Sequence, residues 1–275
     1  MTKAGVLRQP DDNEGPDVSG RTLGRPFWIA IGWLGLLTVL AVLASWLPIE
    51  DPNKVGAGGP RLGPSFSHFF GTDALGRDVF ARTIFGARIS LLVGFLAIVF
   101  GIVVGGGLGI IAGYFRGITD QVISFCFFTL LSFPALVLAL LITATIDRNQ
   151  WTVSFTLGIL AVASVGRLSR ANTIVFAERE FVQAARVLGA NSRRIITHEL
   201  LPNVMIPMGA LALLGMGIAI VAEGSLAFLG LSVEGDAVSW GKSIVDGSQA
   251  RDLDKNPNVA LFPIGVMFLT VLALN

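Results

Sequence analysis

Residues 27–47, FWIAIGWLGLLTVLAVLASWL, run for twenty-one positions without a charged side chain. As a helix this run matches the roughly 30 Å hydrocarbon core of a bilayer. A secretory signal would have a shorter apolar region of roughly 7 to 15 residues, followed by a cleavage site. A first transmembrane helix is therefore expected at 27–48, with Trp28 and Trp46 near its ends as interfacial anchors. Residues 1–26 are polar and cluster Pro10, Asp11, Asp12, Glu14, Gly15, Pro16 and Asp17. Such a stretch has no apolar face to bury and reads as a disordered tail. The rest of the chain has the same bias as 27–47: 53% hydrophobic and 14% charged residues, with mean hydropathy +0.71. A soluble core of this size cannot hide that much apolar surface, so the chain is an integral membrane protein.

Five further spans can be drawn. Residues 49–88 are too polar to cross, with Pro48, Pro52, Pro60 and Pro64 near their start; they read as an external loop ending in an amphipathic lead-in helix from Asp78, whose Arg82 and Arg88 would snorkel. The second span is 89–115. Its Gly101, Gly105, Gly109 and Gly113 recur every fourth residue and predict a smooth ridge for close approach of another helix. The run Gly105-Gly106-Gly107-Leu108-Gly109 is not a phosphate cradle, since no GxxxxGK[ST] pattern and no soluble strand accompany it. The third span, 121–146, contains Pro134 and should kink there. A fourth, 151–167, is short enough to suggest a thinned or protein-surrounded location. The fifth, 204–231, carries one acid, Glu223, which costs about 2.5–3.5 kcal/mol in hydrocarbon unless it faces protein or water or lies near the outer end. The sixth, 259–275, is barely long enough. The expected fold is an all-α integral membrane protein with six transmembrane helices.

Between the fourth and fifth spans lies a long polar interruption, 177–203. Phe181, Ala184, Ala185 and Leu188 recur at helical spacing on one shallow face suited to a groove on another protein. Gly189 allows the positive φ that ends a helix. Asn191 or Ser192 would cap a second short helix through Ile195 and Ile196, with Pro202 closing it. A solvated loop with one helical turn fits the same residues equally well.

This stretch resembles the EAA motif of binding-protein-dependent ABC importer permeases, with Ala184, Ala185, Gly189, Leu201 and Pro202 at the matching positions. Gln183 stands in place of the motif's acid, and Glu199 in place of a common apolar residue. Residues 71–94 are similar to the lead-in of the dipeptide, oligopeptide and nickel subgroup, in the second (C-type) of its two membrane subunits. Ser132-Phe133-Pro134 and 222–247 fit that pattern too, whereas Phe128 replaces an aspartate frequent in such permeases. The resemblance covers 71 to the end. It implies the type I importer architecture over 89–275, with 177–203 as coupling helices that dock on an ATP-binding subunit. It further implies a second homologous permease subunit, two cytoplasmic ATP-binding subunits holding ATP and Mg, an extracytoplasmic solute-binding protein, and no cofactor on this chain. Pro134, Glu223 and Ser225 would belong to the pathway, and the substrate would be a di- or oligopeptide, with nickel chelates or another small solute as alternatives. The family continues with a short polar tail after the last span, so truncation or an incomplete last helix is expected here.

Other chemistry finds little footing. A net charge of +1 without a basic block argues against nucleic acid. Cys126, alone in an apolar span, reads as a small buried hydrophobe. His68 and His198 fall on opposite sides of the expected topology, so they make no metal site and read as solvated polar residues. Ser124, Ser132 and Ser164 have no intramembrane histidine to activate them as hydrolase nucleophiles. A secondary transporter or channel would need more intramembrane ionisable groups than Glu223. The chain is thus expected not to be an enzyme. Arg167, Arg170, Arg179, Arg186, Arg193 and Arg194 supply a positive excess that favours 177–203 inside; the resemblance, by requiring the coupling helices to meet a cytoplasmic ATP-binding subunit, implies that orientation, with both termini cytoplasmic, in a bacterial inner membrane.

Overall fold

Helix α1, Arg25–Leu43, carries Pro26 in its first turn, where the fixed φ of proline suits a helix start. It stops five residues short of the expected end at 48, in turns before Pro48. A computed structural model describes residues 24–56 and 58–275; nearly all of the expected tail, 1–23, lies outside them. Among the described residues the regular structure is helical, with one isolated bridge between Thr72 and Asp78.

Asp78 caps α2, Val79–Phe100, by accepting from the Ala81 amide at 2.7 Å. The helix continues through a π turn, Gly101–Gly106, into α3, Gly107–Phe115. The expected lead-in helix and second span are therefore one rod of 37 residues. Nothing at 88–89 interrupts the hydrogen bonding, because the change from polar to apolar side chains does not break a helix. Arg82 does not snorkel: it is 2% exposed, inside a polar cluster described below.

Two helices replace the expected third span. Helix α4, Gly117–Ser132, and α5, Ala135–Thr145, meet at 87°. Pro134 does more than kink. It forces Phe133 into an extended conformation, ψ 136°, so the chain turns a corner.

Helix α6, Gln150–Ala177, is capped by the Asn149 side chain. It runs ten residues beyond the Arg167 at which the fourth span was expected to stop, so no thinned bilayer is needed. All four ridge glycines face it. A Cβ on Gly101 would lie 2.8 Å from that of Ala161, and one on Gly113 would lie 2.8 Å from the Arg170 carbonyl oxygen. Those on Gly105 and Gly109 would fall inside the van der Waals shells of the Val162 and Gly166 carbonyl oxygens. Gly107 meets nothing within 4 Å. Gly105→Leu is accordingly expected to cost more than about 3 kcal/mol and to leave little monodisperse protein in detergent chromatography, with Gly107→Ala unchanged. Equal yields would mean that α6 can move away.

Helix α7, Glu180–Val187, comes next. Then α8, Ser192–Arg194, a π turn, Ile195–Leu200, and α9, Leu201–Phe228, form a second rod of 37 residues. Pro202 does not close this helix. Proline lacks the donor to the i−4 carbonyl and crowds it; the wider π turn immediately before makes room, so the helix goes on. Helices α10, Trp240–Gly247, α11, Ala250–Lys255, and α12, Asn258–Leu274, complete the chain.

Helix α6 is central, packed on α2, α3, α4, α5 and α9, while α1 lies outside against α2 and α12. Val93, Ala97, Ala139, Val153, Leu157, Ala219 and Leu226 form the core where α2, α5, α6 and α9 meet. By length and composition four helices can cross a membrane and the bent pair makes a fifth; α12 is apolar but has only 17 residues. Six spans thus require both the bent pair and α12 to count. Cys126 is exposed on α4 and not buried, because among the described residues nothing covers that face of α4.

Candidate coupling and pathway sites

Two ends of the molecule carry organised polar structure. At one end, Val182 is 0% exposed and packs with Ala177, Ile195 and Leu200, flanked by Tyr114 and Phe176. This anchor fixes α7 to α3, α6 and the second π turn. It leaves the face bearing Phe181, Ala184 and Leu188 outward, with Ala185 half-buried. Val187 and Leu188 are 88% and 86% exposed. After them Gly189 has φ +84°, its amide donates to the Arg186 carbonyl at 3.0 Å, and the Ala190 amide donates to Ala185 at 3.0 Å. That is the left-handed closure expected of glycine behind a helix. Of the two candidate caps, Asn191 acts, accepting from the Arg194 amide at 2.9 Å. Gln183, Leu201 and Pro202 are exposed; the neighbouring Leu200, not singled out in the sequence, is the buried anchor. A hollow of about 390 Å³ opens between the two arms, lined by Ala185, Leu188, Gly189, Ala190, Asn191, Arg194 and Glu199.

At the opposite end, the loop before α2 folds over the bundle through a buried charge cluster that gives no local sequence signal. Asp73 accepts from the Arg77 Nε at 2.6 Å and from the amides of Leu75 and Arg77. Asp246 on α10 accepts from Arg77 at 3.0 Å and Arg82 at 2.7 Å. His68 is buried and lies 3.1 Å from Asp78, so it is not the solvated residue expected. His198, at the end bearing 177–203, is exposed beside Thr197. The Asn256 amide donates to the carbonyls of Leu62 and Thr72 and ties the same loop to the segment before α12.

The three pathway candidates are not brought together as a lining. Pro134 is exposed at the α4–α5 corner. Ser225 is half-buried and donates to the Val221 carbonyl of its own helix at 3.1 Å. Glu223 is 0% exposed and faces protein: it accepts from Ser232 and, at 3.4 Å, from Ser90, whose hydroxyl in turn accepts from the Trp240 amide at 3.1 Å. It joins α2, α9 and α10. A separate apolar cleft of about 390 Å³ lies between α2, α5, α6 and α9, where Ala97, Ala135, Leu160, Ser164 and Ile218 line it. Among the described residues no group of three or more His, Cys, Asp or Glu could hold a metal ion.

Residues 105–275 match the family described as the inner membrane component of binding-protein-dependent transport systems. The chain belongs to this family. The permease is 38% identical over 250 residues to a dipeptide transport system permease protein, DppC, of Alkalihalophilus pseudofirmus, covering 90% of this chain and 82% of the relative. It is 33% identical over 273 residues to a glutathione transport system permease protein, GsiD, of Pectobacterium atrosepticum, covering 94% and 89%. Among solved structures, a chain of the MetNI methionine ABC transporter in inward-facing conformations superposes with TM-score 0.59 at 16% identity, covering 71% of the permease and 91% of that chain. The fold is that of an ABC importer permease, and the subgroup is the C-type permease of peptide importers. Its relatives are transport permeases of the inner membrane.

Proposed function

We infer that this permease forms half of the translocation pathway of an ATP-driven importer of short peptides. A second homologous permease subunit would complete the pathway. Two cytoplasmic ATP-binding subunits would bind and hydrolyse ATP with Mg, and an extracytoplasmic solute-binding protein would deliver substrate to the looped end. Both termini would be cytoplasmic. The observation that carries this reading is the element at 177–203. Val182, Ile195 and Leu200 anchor it to the bundle, while Val187 and Leu188 stand uncovered at the end opposite the external loop. An apolar surface of this kind calls for a protein partner. Closure of that partner would push the element as a unit and tilt α6 and the second rod, both joined to it. The names of the relatives support di- or oligopeptides as cargo.

The test is uptake by proteoliposomes holding the full set of subunits and the binding protein. ATP-dependent accumulation of a labelled dipeptide, absent with a nickel chelate, is the expected result. Accumulation without ATP would overturn the reading.

A further inference from the structure

The exposed apolar end of 177–203 is flanked by charge that the chain leaves uncompensated. Most charges nearby have a local reason. Glu180 lies in the first turn of α7 and Arg186 in its last, each at the helix end that favours its sign. Glu178 pairs with Arg116 at 2.7 Å, and Arg186 also lies over the Tyr114 ring at 5.5 Å. Arg193 and Arg194 run the other way. They are exposed in the first turn of a rod of 37 residues, where free N–H groups repel cations, and among the described residues neither has a carboxylate partner.

We propose that the ATP-binding subunit receives this element in a groove with an apolar floor, for Val187 and Leu188, and with carboxylate side chains on the wall beside Arg193 and Arg194. This rests on the coupling role above and specifies the surface that the partner presents. Docking is then steered by charge and weakened by salt, while burial of the two apolar side chains sets how long the subunits stay together.

The complex is purified in mild detergent from membranes expressing all its subunits, and the ATP-binding subunit is quantified against this chain by mass and by nucleotide turnover. Retention of the second permease subunit serves as the folding control. Raising salt to about 0.5 M is expected to weaken retention of the ATP-binding subunit about tenfold. The double variant Arg193→Glu/Arg194→Glu is expected to lose it by a similar factor at low salt, and Arg193→Gln/Arg194→Gln to bind more weakly with a flattened salt dependence. If both doubles bind as wild type while Leu188→Asp does not, the acidic wall is rejected and the coupling role stands. If Leu188→Asp also binds as wild type, the coupling role falls with it. Should the Glu double fail to assemble with the second permease, the salt series and the Gln double decide, and no salt effect in either rejects the proposal.

Discussion

Gly189→Val is expected to abolish ATP-driven peptide uptake while leaving the chain inserted and ATP still being hydrolysed. The Cβ meets nothing within 4 Å, so packing does not decide the outcome; the backbone does, because φ is +84°. A left-handed conformation costs an L-residue about 1–2 kcal/mol, and a β-branched one more. The turn would relax and rotate the axis of α7 away from the second arm, separating Val187 and Leu188 from Arg193 and Arg194. Asparagine tolerates this region better, so Gly189→Asn should keep most of the uptake. Labelled-peptide accumulation and phosphate release in the same proteoliposomes give both readings. Full uptake by the valine variant would remove this turn from the coupling path.

Asp246→Asn is expected to destabilise the end bearing the loop before α2 by about 3 kcal/mol, the lower part of the range for breaking a buried pair because this carboxylate is itself partly exposed. Its Oδ2 accepts from both Arg77 and Arg82, and Arg82 is then left with the Pro52 carbonyl at 3.3 Å and Asp73 at 4.0 Å. The expected signature is a melting temperature lower by roughly 10 °C and faster proteolysis of the loop before α2. An unchanged melting curve would show that Asn256 and the Thr72 turn hold the loop without the charges.

The apolar stretches were legible because length and hydropathy alone identify what a bilayer accepts. So were Gly189 and the presence of a cap at Asn191 or Ser192, where one residue's chemistry fixes the local backbone; the structure selects Asn191. The joins were not. A change from polar to apolar side chains at Arg88 or Arg167 marks where the surroundings change, and backbone hydrogen bonding ignores it. Proline shows how context decides: Pro134 turns the chain through 87°, whereas Pro202 is absorbed by the π turn before it. Nothing in the flanking residues distinguishes the two cases. Arg82 was misplaced for a different reason, since its partner Asp246 lies 164 residues away. Within the coupling stretch the apolar spacing was visible but its inside and outside were not: Val182 and Ala185 share one side, Phe181 and Leu188 another, and only packing against Ile195 and Leu200 selects between them.

The two uninterrupted rods, Val79–Phe115 and Ser192–Phe228, have a mechanical consequence. Each is roughly 55 Å long, and a tilt of about 10° sweeps one end past the other by roughly 10 Å. Tyr114 near the end of the first rod, and Ile195 and Leu200 in the second, all touch the Val182 anchor. On the proposed coupling role, a small squeeze on α7 would be geared up to that distance at the far ends of the rods. The gearing would be reciprocal: whatever grips the end bearing the loop before α2 would load a partner docked at α7 with the same free energy.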